Sequence, residues 1–66
     1  MKLLITQCPD RMFWYRDLVG QLVPFEGIWP ESGFKSREVE GHANVVRFED
    51  AVIYAEGKTY KLVGRE

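Results

Sequence analysis

Ala51-Val52-Ile53-Tyr54-Ala55-Glu56-Gly57-Lys58-Thr59-Tyr60-Lys61-Leu62-Val63 decides the fold of this chain. Val52 and Tyr54 alternate with Ile53 and Ala55, the period of two that sends successive side chains to opposite faces of a strand. Glu56-Gly57 interrupts the alternation, and a Gly in the second place of a two-residue connection supplies the positive φ of a tight hairpin. Thr59 to Val63 then reads as the return strand. Gly64-Arg65-Glu66 carries no pattern and is expected to fray.

Upstream, the same grammar recurs in short pieces. Lys2 to Thr6 is rich in Leu and Ile, too short for a helix and closed by Pro9-Asp10, which makes it a first strand. Asp10 to Leu18 is polar and aromatic without helical periodicity and is expected to be a loop with at most one helical turn. Gln21 to Ile28 reads as a second strand. Pro24 removes a ladder donor from it and so places it at an edge or at a bulge. Trp29-Pro30-Glu31-Ser32-Gly33 is a turn. Phe34 to Glu40 alternates with little apolar content and is expected to be an exposed strand, whereas Asn44 to Phe48, with Val45 and Val46, is expected to be a buried one. Glu49-Asp50 makes a tight turn into the hairpin.

Five or six short antiparallel strands with turn signals every eight to twelve residues point to an all-β chain with a minor helical turn. A small open barrel of the Src-homology-3 type buries a common face with one curled sheet and no long helix. No linker, repeat or low-complexity stretch divides the sequence, so residues 1–66 are read as one domain.

Size bounds what this domain can do. A chain of 66 residues buries only about 60% of the surface its unfolded form exposes. Cores of this size supply ~3–5 kcal/mol unless stapled. One Cys and one His provide neither an internal disulfide nor a four-coordinate zinc site, so no cofactor is expected and a reducing compartment fits. The apolar opening Leu3-Leu4-Ile5 stops at Thr6-Gln7, short of a signal core or a membrane span. A cytoplasmic location without membrane contact is therefore the expectation. Nine basic residues against ten acidic give no net field that would draw the chain to nucleic acid.

The features that carry recognition chemistry are aromatic. In Phe13-Trp14-Tyr15, Trp14 reads as core. Backbone alternation makes burial of all three implausible, so Phe13 or Tyr15 is expected to be accessible beside Arg16. Trp29, in a turn next to Pro30, is a candidate anchor, and with Phe34 nearby it forms an apolar patch suited to a partner protein. Partner-binding candidates are thus Phe13, Tyr15, Arg16, Trp29 and Phe34. Lys35, Arg37 and Arg47, interleaved with aromatics, offer an alternative nucleic-acid face by phosphate contact and base stacking, although acidic residues are mixed among them. A third possibility is homo-oligomerisation through an exposed strand edge, giving a monomer in equilibrium with a weak homodimer. His42 lies in a turn with no nucleophile or orienting group at a recognisable spacing, and free Cys8 reads as a small hydrophobe, so no catalytic residue is assigned.

The order Leu3-Leu4-Ile5, Trp14-Tyr15, Val19-Gly20-Gln21-Leu22, Asn44-Val45-Val46-Arg47 and Glu49-Asp50-Ala51 resembles a loose group of very small bacteriophage-encoded proteins of unknown function. The resemblance covers most of residues 2–53. It implies a compact β-barrel accessory protein, made during infection, that binds a host bacterial protein to inhibit or modulate it or is sensed by a host defence protein. It carries over no catalytic residue.

Overall fold

A computed structural model describes residues 1–62. Among them the chain forms β1 (Lys2–Ile5), β2 (Leu22–Pro24), β3 (Gly27–Trp29), β4 (Gly33–Arg37), β5 (Ala43–Val46), a 3₁₀ turn (Phe48–Asp50), β6 (Ala51–Ala55) and β7 (Lys58–Tyr60). The strands make two antiparallel sheets, one ordered β2-β1-β6-β7 and the other β3-β4-β5. The chain is all-β, as the alternation indicates. Among the described residues there are seven strands rather than five or six, and the two sheets do not close into one continuous barrel.

The deciding hairpin forms as its sequence dictates. Ile53 faces Tyr60 and Ala55 faces Lys58, with Glu56 at φ 55° and Gly57 at φ 80° between them. Two consecutive positive φ values match the right-handed twist of the flanking strands. The return strand ends at Tyr60, so Lys61 and Leu62, expected to continue it, are not part of a strand, while the expected end at Val63 and the fraying of Gly64-Arg65-Glu66 lie outside the described residues.

β1 is central because it is apolar on its core side. Leu3 pairs with Val23 on one flank and Ile53 on the other, and Leu3 and Ile5 are wholly buried. β2 is the edge, as Pro24 requires. The Ile5 amide donates to the Gln21 carbonyl at 3.1 Å, and Leu3 faces Val23 in the same register. Gln21 and Val23 therefore turn their polar groups toward β1, while Leu22 and Pro24 turn theirs away. At Pro24 the missing N–H costs the ladder nothing.

Two expectations fail here for identifiable reasons. The single strand expected from Gln21 to Ile28 breaks in two at Phe25-Glu26, where the chain leaves β1 and Glu26 N–H donates to the Lys35 carbonyl at 2.8 Å; Gly27 follows at φ 145°, a conformation that side chains rarely adopt. β4, expected to be exposed, is the middle strand of its sheet and its inward residues are wholly buried. Phe34 fills the core, and the Ser36 hydroxyl donates to the Pro24 carbonyl at 2.7 Å, so a polar side chain is buried at little cost. β5, expected to be a buried strand, is an edge on which only Val46 is fully covered. The helical turn forms at Phe48–Asp50, where a tight turn was expected, while residues 10–18 are successive turns closed by Phe13 N–H to Asp10 C=O, Arg16 to Phe13 and Leu18 to Tyr15.

The core is Leu3, Ile5, Tyr15, Val23, Phe34, Val46 and Ala51. Phe34 meets Phe48 edge-on with ring centroids 5.1 Å apart, and Phe25 at 6.0 Å. Perpendicular pairs put the positive ring edge against the negative face.

Candidate functional site

The long loop between β1 and β2 is tied to the second half of the chain by polar contacts that its sequence places at fixed points. Tyr15, 1% exposed, donates its hydroxyl to Asp50 Oδ2 at 2.5 Å, and Gln7 Nε2 donates to Asp50 Oδ1 at 2.9 Å. Asp50 is itself fully buried. Its backbone carbonyl accepts from Thr6 N–H at 2.7 Å. Burial raises the Tyr15 phenol well above its ordinary value, and the Asp50 carboxylate beside it adds to the rise. Trp14 Nε1 donates to the Val45 carbonyl at 2.7 Å, pinning the loop against β5.

This arrangement corrects two of the proposed anchors. Tyr15 is a core residue, because its ring packs edge-on to Trp14 with centroids 5.6 Å apart and its hydroxyl is consumed by Asp50. Phe34 is likewise buried, since it lies on the inward face of the central strand β4. Trp14, expected in the core, is half-buried and packs against it. Phe13 is half-buried with the Arg47 guanidinium 5.7 Å from its ring centroid, and Arg16 is exposed and donates to the Phe13 carbonyl at 3.3 Å. Trp29 is 39% exposed and stacks under Lys35 Nζ at 6.0 Å. Trp29 lies on β3, and because Tyr15 is buried the two form no common exposed surface.

The cations of the alternative nucleic-acid face are mostly engaged. Arg37 Nε and Nη2 bind both oxygens of Glu26 at 2.8 Å, and Arg37 Nη1 donates to the Gly41 carbonyl. Glu26 is held below its ordinary carboxylate range by that guanidinium. Arg47 pairs with Glu49. Of the three, Lys35 alone has no carboxylate partner among the described residues. Two neutralised cations out of three leave little charge to release counterions from a phosphate backbone.

What the loop does create is a cleft. It holds about 430 Å³ and is lined by Trp14, Leu18, Leu22 and Pro24 together with Arg37, Glu38, Val39 and Gly41. A smaller hollow of about 220 Å³ shares Trp14, Leu18, Glu38 and Val39 and extends it to Asp17 and Glu40. Val39, at the tip of the β4–β5 hairpin, is 92% exposed. Leu22 is also open to solvent. The sequence did carry one signal for this lining: a β-branched residue between Glu38 and Glu40-Gly41 has no core within reach.

The Cys8 thiol is pushed up by burial, so it stays protonated at neutral pH, and it donates to the Asp10 carbonyl. Among the described residues no group of three or more His, Cys, Asp or Glu is gathered as a metal site demands. No helix among them is long and apolar enough to cross a membrane. No protein-family model matches the chain, and neither a curated protein nor a solved structure matches it.

Proposed function

We propose that this chain is a non-enzymatic binding module, an accessory protein of bacteriophage origin that acts in the host cytoplasm by docking on a host protein, which it inhibits or modulates or by which it is sensed. The observation that carries the binding reading is the cleft between the 10–20 loop and the β4–β5 hairpin, where apolar Leu22 and Val39 stand open to solvent around a half-buried Trp14. Trp is among the residues most enriched at interface hot spots, and the exposed aliphatic side chains around it add apolar area for a partner to cover. The fold reading that accompanies it is an open barrel of the Src-homology-3 type. Its support is the strand order: a first strand and long loop, a segment that passes from one sheet to the other at Phe25-Glu26, a two-strand meander, a 3₁₀ turn, and a strand returning beside the first. β7 is an addition to that plan.

A photo-crosslinking amino acid placed at Val39, with a second variant carrying it at Tyr60, tests the docking surface in a lysate of the bacterial host. The expected result is one host protein joined through position 39, absent from position 60, and lost when Leu22→Ser is added. No adduct, or the same adducts from both positions, overturns the reading.

A further inference from the structure

We infer that the cleft takes an extended segment of a partner protein, with apolar residues interspersed with Lys or Arg, which adds to the free edge of β2. This rests on the protein-binding reading and assigns the chemistry of what is bound. Three features of the cleft specify its occupant.

The first is main-chain geometry. The alternation fixed by Ile5 N–H to Gln21 C=O turns the Leu22 N–H and C=O away from β1, and among the described residues no strand lies on that side of β2. An unpaired donor and acceptor on one residue are what an added antiparallel strand satisfies. The edge is short. Pro24 has no N–H and its carbonyl already accepts from Ser36, while Gln21 N–H is taken by the Leu18 carbonyl. The incoming segment therefore makes one pair of main-chain bonds, both with Leu22, and its remaining affinity comes from side chains.

The second is the placement of apolar groups. A residue paired with Leu22 puts its side chain on the Leu22 face of the sheet. Its two neighbours fall on the opposite face, where Trp14 and Leu18 pack against the core and line the cleft. Val39 also lines the cleft, so the lining met by those neighbours is partly apolar.

The third is charge. Asp17, Glu38 and Glu40 line the extension of the cleft. The cation on its wall, Arg37, is bound by both oxygens of Glu26 and so does not offset them. The Asp17 side chain is 87% exposed, and its contact with Arg16 is loose at 3.9 Å. A segment carrying Lys or Arg beside its aliphatic residues is steered and oriented by this rim, and an acidic one is repelled.

The test uses two short acetylated peptides, one alternating valine with lysine and one alternating valine with glutamate, added to the full chain while amide exchange and amide shifts are followed by NMR. The lysine peptide is expected to slow exchange at the Leu22 amide, and the Asp17→Lys, Glu40→Lys double variant to weaken binding by roughly tenfold or more. Both positions are exposed, so this variant keeps the fold. The glutamate peptide is expected not to bind. Unchanged Leu22 exchange with the lysine peptide in excess, or equal binding of both peptides, overturns the inference. So does Leu22 protection that rises with protein concentration alone, which would assign the edge to a second copy. If the position-39 crosslink forms while the lysine peptide leaves Leu22 unchanged, the binding module stands and the strand-addition inference falls. Absence of the crosslink removes the module itself.

Discussion

Tyr15 and Asp50, thirty-five positions apart in sequence, meet through a 2.5 Å hydrogen bond at the point where the long loop crosses the 3₁₀ turn. Both residues are buried, and the second carboxylate oxygen is held by Gln7. A carboxylate removed from water depends on such donors. Tyr15→Phe keeps the ring and its edge-on contact with Trp14 but leaves Asp50 Oδ2 without its donor. The expected loss is about 1–3 kcal/mol in urea unfolding, the cost of an unsatisfied buried acceptor. Tyr54→Phe, on a half-buried ring without a side-chain hydrogen bond among the described residues, should stay within about 0.5 kcal/mol.

The same pair sets an alkaline limit on stability. Tyr15 is raised above the ordinary 10.0, first by burial and then by Asp50. In the folded state the phenol holds its proton at pH values where the unfolded chain has lost it. Stability is therefore fully present below pH 10 and declines as pH rises from there toward the folded value. Chemical denaturation between pH 8 and 12 should show this decline in the parent chain. Tyr15→Phe should be less stable at pH 8 and flatter above pH 10. An equal slope in both would place the alkaline transition elsewhere.

Much of the fold was legible, and the failures share a cause. The Ala51–Tyr60 hairpin and the edge position of Pro24 followed from period and turn chemistry, which are local. β4 departs from its expected exposure because Phe34 is followed by Lys35, Ser36 and Arg37, a composition that by itself reads as solvated. Its burial depends on being flanked by β3 and β5 and on the Pro24 carbonyl that receives Ser36, both non-local. Tyr15 departs from its expected anchor role for the same reason: its burial is decided by Asp50, far along the chain. The cleft was largely illegible, since Leu22 and Val39 come together only once the loop and hairpin are placed.

Gly33 is where the backbone packs most closely. A Cβ there, at φ 152°, would stand 2.3 Å from the Val46 carbonyl oxygen and 3.0 Å from a Val45 methyl group. Neither β4 nor β5 can retreat without losing the pairing that buries Phe34 and Val46. Gly33→Ala should cost upwards of about 2 kcal/mol, combining overpacking with backbone strain. Gly27, at φ 145° with open space around it, supplies the comparison. Gly27→Ala bears the strain without the clash and should lower the thermal midpoint less. Equal midpoints would mean that the clash is relieved by a shift of the sheet.

The Glu26–Arg37 pair acts at the opposite end of the pH scale. The guanidinium, by hydrogen bonding first, holds Glu26 below its ordinary 4.5. A depressed carboxylate contributes stability that is present above the unfolded value and lost as pH falls through the folded one. A carbon-13 titration of the glutamate side chains should find Glu26 titrating below the ordinary carboxylate value, and Arg37→Gln should return it to the ordinary range. The effect on unfolding is expected to be small, because the pair faces solvent and added salt weakens it. If Glu26 does not move when Arg37 is replaced, the forked contact is not formed in solution.

Trp14 connects the fold to the proposed site. Its indole N–H holds the loop to the Val45 carbonyl, and its ring lines the cleft beside Leu18. Trp14→Phe retains an aromatic wall and removes that donor. The expected cost is about 0.5–1.5 kcal/mol, the net contribution of one hydrogen bond, because Val45 is only half-buried and water can take the vacated place. The more specific consequence is local. Turns 10–18 should exchange their amides faster in the variant, while β1 and β6, held by the ladder at Leu3 and Leu4, should not change. Hydrogen exchange resolved by residue separates the two outcomes. Uniform acceleration would show that Trp14 supports the whole core, and selective acceleration that it sets the geometry of the cleft.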